Sequence, residues 1–147
     1  MSYKKFSLML LISFMIMYAV MFLNITQVDY FYVSTTRIYM ALLMISPMAV
    51  VMMLMMGKMY PNKKLNTGII VSAIIVFIIT LAGLRTQTPI GDVQYMKAMI
   101  PHHSSAILTS ENANIKDPEV RKLADGIIEA QKREIAEMKD LIQKSRK

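Results

Sequence analysis

Three long apolar runs occupy residues 6–84 and then stop. They cover about Phe6–Ile25, Ile38–Met56 and Gly68–Leu84. Each is roughly 17–20 residues, enough to cross a hydrocarbon core at a rise of about 1.5 Å per residue. A chain with such runs is not one water-soluble globule. In lipid the backbone must satisfy its own polar groups, so each run is predicted to be a helix. The first run is too long, and too polar at its far end, for an ordinary signal peptide, and no small-x-small cleavage site appears near Asn24-Ile25-Thr26.

The 54% hydrophobic content therefore averages two unlike parts. Residues 1–85 read as a three-helix transmembrane region and residues 86–147 as a small charged module. The net charge of +7 divides in the same way. Lys4, Lys5, Arg37, Lys58, Lys63, Lys64 and Arg85 face only Asp29 in the first part, whereas acids and bases nearly balance in the second. The basic excess thus flanks membrane spans. It forms no basic patch with interleaved aromatics, and nucleic acid is not an expected partner. The positive-inside rule puts the N-terminus and the Lys58–Asn66 loop in the cytoplasm, which leaves the C-terminal module outside it. The expected location is the cytoplasmic (inner) membrane of a bacterium. Tyr30, Phe31, Tyr32 and Tyr39 fit an outer interfacial belt.

No cysteine is present, which removes disulfides, thiolate zinc sites and cysteine-ligated clusters. Methionine is abundant instead. Met40, Met44, Met48, Met52 and Met56 recur every four residues along the second run, one stripe of a helix. The stripe reads first as flexible apolar filling and second as a thioether track for a soft metal. No charged residue accompanies it, as ion carriers usually require. Pro47 should kink the same helix.

The C-terminal module reads as two helices. Residues 85–91 form a linker, Asp92 can cap the first helix, and that helix runs to about Asn114. Its apolar positions Val93, Met96, Met99, Ile100, His103, Ala106 and Ile107 follow a spacing of three and four. The second helix starts sharply at the cap Asp117, with Pro118 first and Glu119 in the first turn. Val120, Leu123, Ala124, Ile127, Ile128, Gln131, Ile135, Met138, Leu141 and Ile142 form one apolar stripe. Lys139, Lys144, Arg146 and Lys147 complement the helix dipole near its end. The expected architecture is all-α: three transmembrane helices, then an extracytoplasmic antiparallel hairpin. So short a hairpin has little core. A four-helix bundle on oligomerisation, most simply in a homodimer, would complete it.

The chain's two histidines, His102 and His103, are adjacent and lie within Met99-Ile100-Pro101-His102-His103. Met99 precedes them by three and four positions, so either pair can converge on one ion. Thioether and imidazole favour Cu(I) or Ag(I) over hard cations. Pro101 frees the carbonyl of Lys97 and bends the helix there. Antiparallel pairing places residues 99–103 opposite about 127–131, with Glu134 close by and Met138 nearer Met96. Neither His-Glu-x-x-His nor the Glu-x-x-His of di-iron bundles occurs, and no Ser–His–Asp arrangement is evident, so no catalysis is expected.

The segment from Asp92 to Ile142 resembles the DUF305 family. Asp92, Tyr95, Met99-Ile100-Pro101-His102-His103 and Ala106-Ile107 carry the resemblance in the first helix. Pro118-Glu119-Val120, Leu123-Ala124, Ile127-Ile128, Gln131 and Glu134-Ile135-Ala136-Glu137-Met138 carry it in the second. The resemblance implies a ferritin-like or four-helix-bundle module that binds copper or silver outside the cytoplasm. It implies Met99, His102, His103 and Met138 as metal ligands. Thr109 stands where the family often has a further methionine, which implies one soft ligand fewer. The expected function is membrane-tethered binding or buffering of Cu(I) or Ag(I), with a metal-handling partner unidentified. The alternative is a non-catalytic structural or interaction module whose His pair serves packing or a partner interface.

Overall fold

The computed structural model describes residues 2–145, and every regular element among them is helical. The α-helices are α1 Tyr3–Val20, α2 Thr35–Met56, α3 Lys63–Thr86, α4 Asp92–Asn112 and α5 Pro118–Lys144. Short 3-10 turns occur at Val28–Tyr30 and Gly57–Met59. α1, α3, and α2 with its extension to Met59 are each long and apolar enough to cross a membrane. They give the chain a membrane-associated half. Arg146 and Lys147, expected in the last turn of the final helix, lie outside the described residues.

By its contacts the chain divides into two units. One contains Met1–Met21 and Thr36–Pro89, the other Phe22–Thr35 and Ile90–Lys147.

In the first unit, helix starts are set by side chains. Ser2 accepts from the backbone N–H of Lys4 at 3.3 Å, and Asn62 Oδ1 accepts from that of Leu65 at 3.1 Å. Such caps satisfy donors that the first helical turn leaves unpaired. α3 continues past the expected Leu84 to Thr86 and stops at Gln87, whose φ of 53° ends the helix. α1 ends at Val20, five residues short of the expected Ile25. Arg37 Nη1 donates to the carbonyl of Met21 just beyond it, at 2.5 Å. A cation there suits the negative end of the helix.

The packed row of α2 is Arg37, Ala41, Ile45, Ala49 and Met53. The stripe Met40, Met44, Met48, Met52 and Met56 lies one position away and is half-buried or exposed, so it borders the packed row. Phe6, Ala49, Met53, Tyr60 and Ala73 form the buried cluster of this unit. Gly83 permits one close approach: a Cβ there would lie 3.1 Å from the ring of Tyr39.

In the second unit, α4 and α5 run in opposite directions. Arg121, early in α5, donates to the carbonyl of Ser110 late in α4 at 3.0 Å, whereas Glu134 further along α5 approaches His103. Asp117 accepts from the N–H groups of Glu119 and Val120 at 2.8 and 3.1 Å, so the expected cap and Pro118 start stand as read. The expected role of Asp92 changes. Gly91 is the extended cap residue, and Asp92 is already helical. Its carboxylate can act only through the dipole of the first turn. α4 also ends at Asn112, two residues early, because Ala113 is extended.

Met96, Ile100, Ile107, Ile135, Met138 and Ile142 make the core of this unit. The single apolar stripe expected on α5 is two faces. Ala124, Ile135, Met138 and Ile142 are buried, but Val120, Leu123, Ile127 and Leu141 are exposed. One neighbouring helix can cover only part of a stripe that wide.

Candidate functional site

Proline at position 101 sits inside α4 and is buried, and the histidines that follow it diverge. Adjacent helical residues differ by about 100° in direction. His102 is exposed, whereas the His103 side chain is only 12% exposed. Their ring centroids are 6.2 Å apart and the planes are tilted by 56°.

His103 faces α5. Its Nδ1 lies 3.2 Å from Oε2 of Glu134, yet this buried nitrogen makes no hydrogen bond. The atoms are close but not aligned for donation. Burial holds the His103 imidazole below its ordinary pKa; the Glu134 carboxylate pulls it up and His102 pushes it down. The net direction is downward, so the ring is neutral at pH 7 and becomes an ion-pair partner of Glu134 only on acidification. One turn before Glu134, the buried Oε1 of Gln131 also has no hydrogen-bond partner.

The other expected ligands fall as follows. Met99 is partly buried and packs against the core cluster. Met138 is 9% exposed and lies within that cluster, with Met96. Among the described residues, no group of three or more His, Asp or Glu is placed to hold a metal ion.

A shallow, open groove runs along the surface of α5. Glu119, Lys122, Leu123, Gly126, Ile127, Ala130 and Gln131 line it, apolar in the middle with charge at one end. Leu123 is 65% exposed there.

Sequence reasoning missed another set of residues. Ser104 is completely buried, in the row Met96, Ile100, Ser104 and Ile107 where His103 was expected. Its Oγ accepts from the backbone N–H of Thr26 at 2.7 Å and lies 2.9 Å from the Thr26 hydroxyl. Asn24 donates to Ser105 at 2.6 Å, and the N–H of Thr35 donates to Gln94 at 3.1 Å. Tyr30 and Tyr32, expected in an interfacial belt, pack against the core of the helix pair. A serine at a core register of a helix was the one available signal, because a buried hydroxyl needs a partner.

The family description "domain of unknown function" (DUF305) matches residues 80–147. An uncharacterized protein of Acanthamoeba polyphaga mimivirus is 41% identical over 106 residues, which cover 71% of this chain and 68% of the relative. The chain belongs to the DUF305 family. No solved structure matches it. The DUF305 match takes in all of α4 and α5, and so includes His102, His103, Glu134 and the groove. It leaves out Asn24, Thr26, Tyr30 and Tyr32, although these belong to the same compact unit.

Proposed function

We propose that this protein is a membrane-anchored, non-catalytic interaction module of the DUF305 family. Residues 1–85 supply the anchor, with the N-terminus in the cytoplasm, and residues 86–147 carry the interface outside it. The proposed setting is a bacterial inner membrane. The partner is a second copy, and the Met99–His103 edge with the groove on α5 forms the seam of a four-helix bundle. One observation carries the reading: Leu123, Val120 and Ile127 are exposed beside a buried Gln131 oxygen that has no hydrogen-bond partner. An apolar strip on a water-facing helix, rimmed by charge, is the usual form of an interface. Glu119 and Lys122 at the rim are opposite in sign, so the same patch on a second copy meets no uniform charge repulsion. In this reading His103 is an interface residue held neutral by burial.

The test is the mass of the full-length protein in nanodiscs and in mild detergent. A dimer is expected, and Leu123→Glu with Ile127→Glu should give a folded monomer of unchanged helicity. A monomeric wild type at high protein concentration would sink the proposal.

A second reading is binding of Cu(I) or Ag(I) as cargo. It is supported by the neutral His103, whose Nδ1 makes no hydrogen bond, with Met99 one turn earlier on the same helix. These two donors fit a soft monovalent ion. His102, exposed, and Met138, within the core, would each have to reorient to join them. Titration of the full chain with Cu(I), Ag(I) and Zn(II), read by bound-metal mass, decides it. Saturable Cu(I) binding lost in Met99→Leu with His103→Gln supports the reading, and equal binding by that variant refutes it.

A further inference from the structure

The segment Phe22–Thr35 joins α1 to α2 and so reads from sequence as a loop of the membrane half. Its contacts put it in the other unit. Three hydrogen-bonded anchors line up along α4: Asn24 on Ser105, Thr26 on Ser104, and Thr35 on Gln94. Their order shows the segment running opposite to α4. From Gln94 to Ser104 the helix rises by about 15 Å. The segment covers that length while making one 3-10 turn at Val28–Tyr30.

The chemistry at the centre is mutual. Ser104 is fully buried in an otherwise apolar row, and the backbone N–H of Thr26 is a donor that must be satisfied. Each group would be costly to bury alone, and together they pair. Around this bond Tyr30 and Tyr32 pack on the core cluster. Lys139 of α5 stands 5.4 Å above the Tyr30 ring and 3.9 Å from Asp29. The segment therefore engages both helices with apolar, hydrogen-bonding and charged contacts.

We infer that the α4–α5 pair carries a peptide-recognition face, centred on Ser104, and that residues 22–35 of the same chain are its occupant and the third wall of its core. The occupant is a turn-containing segment that brings a hydroxyl and a backbone N–H to Ser104, an amide to Ser105 and two tyrosines to the core. The folding unit is thus larger than the segment matched by the family, and the first loop of the anchor completes it. This seat is separate from the groove at Leu123 and does not depend on the dimer.

The absence of native cysteine allows a direct test in the full-length protein in nanodiscs. The pairs Thr26→Cys with Ser104→Cys and Asn24→Cys with Ser105→Cys are oxidised with diamide, which takes up the two hydrogens released as each disulfide forms. The second pair is at an exposed position, so it guards against a folding failure of the first. Both pairs should give a cross-link within one chain, seen as faster migration without reductant. Thr26→Cys with Leu123→Cys should give none. In parallel, replacing residues 24–32 by a Gly/Ser segment of equal length should raise amide exchange across residues 96–107 by about ten-fold or more. Absence of the intrachain cross-link in the exposed pair, cross-links only between chains, or unchanged exchange after replacement would each overturn the inference.

Discussion

Ile79 of α3 and Leu123 of α5 are exposed to nearly the same degree, 64% and 65%. On α3, Ile79 has company: Ile74, Ile75 and Ile78 are exposed as well, in a helix apolar enough to cross a membrane. Lipid tails are the expected solvent for such a surface. On α5, Leu123 stands among Lys122, Asp125, Glu129 and Lys132, residues that water must solvate. There an exposed leucine marks a surface awaiting cover. The lesson is that exposure carries meaning only with the solvent of the element named. The packed rows differ too. α2 packs small residues between larger ones, Ala41, Ile45, Ala49 and Met53, as helices do where close backbone approach replaces the hydrophobic drive. The helix pair packs Ile100, Ile135, Met138 and Ile142, where water supplies that drive.

The largest effect is expected in the core of the helix pair. Ile135 is 1% exposed, and Ile135→Ala should cost about 2–5 kcal/mol. Leu123→Ala should leave the stability of the monomer within about 0.5 kcal/mol. Chemical denaturation of the dissociated protein checks both. Similar losses for the two would erase the distinction between α5's faces.

Next in size is the exchange of solvents. Ile79→Arg should raise the cost of membrane insertion by about 2.5–3.5 kcal/mol if α3 spans a bilayer. Leu123→Arg should leave insertion unaffected. Glycosylation mapping of inserted chains reads both, and an Ile79→Arg variant that inserts normally would sink the lipid-facing assignment.

The cap offers a smaller effect within the water-facing part. Asp117→Ala removes the acceptor for two N–H groups and should cost about 1 kcal/mol. Thermal melting is the measurement, and an unchanged midpoint would remove Asp117 from the list of helix-start determinants.

The pH dependence of His103 sharpens the same contrast. Its pKa in the folded state lies below the unfolded value of about 6.5. The folded state then binds fewer protons than the unfolded state as pH falls below that value. The contribution is complete above about pH 6.5 and is lost as pH drops through the lower folded value. Chelator-treated protein should therefore lose stability on mild acidification, and His103→Gln should flatten that part of the profile. Glu134 pulls the pKa up, so Glu134→Gln should deepen the acid loss. A profile unchanged in both variants would show that His103 does not set the acid loss.

Much of this was legible beforehand, for local reasons. Three apolar runs announce their helices because the bilayer permits no other self-satisfied segment. Asp117-Pro118-Glu119 starts a helix through groups within four residues of one another. The apolar periodicity of residues 93–107 set Ile100 and Ile107 in the core of α4. The split of the α5 stripe was not legible. Val120 and Ala124 belong to one wide periodic pattern until a neighbouring helix selects which edge to cover. That His102 and His103 diverge follows from helix geometry alone, but which of them faces inward needed α5.

The sequence by itself determined the helices, the membrane-associated half and the candidate residues, because these follow from composition, spacing and groups close along the chain. Only the tertiary structure decided that Ser104, and not His103, belongs to the core row, and that Thr26 completes it. Their bond joins residues 78 positions apart. A polar contact of that range leaves no period in a sequence, and its stabilisation exists only once both partners have left water together.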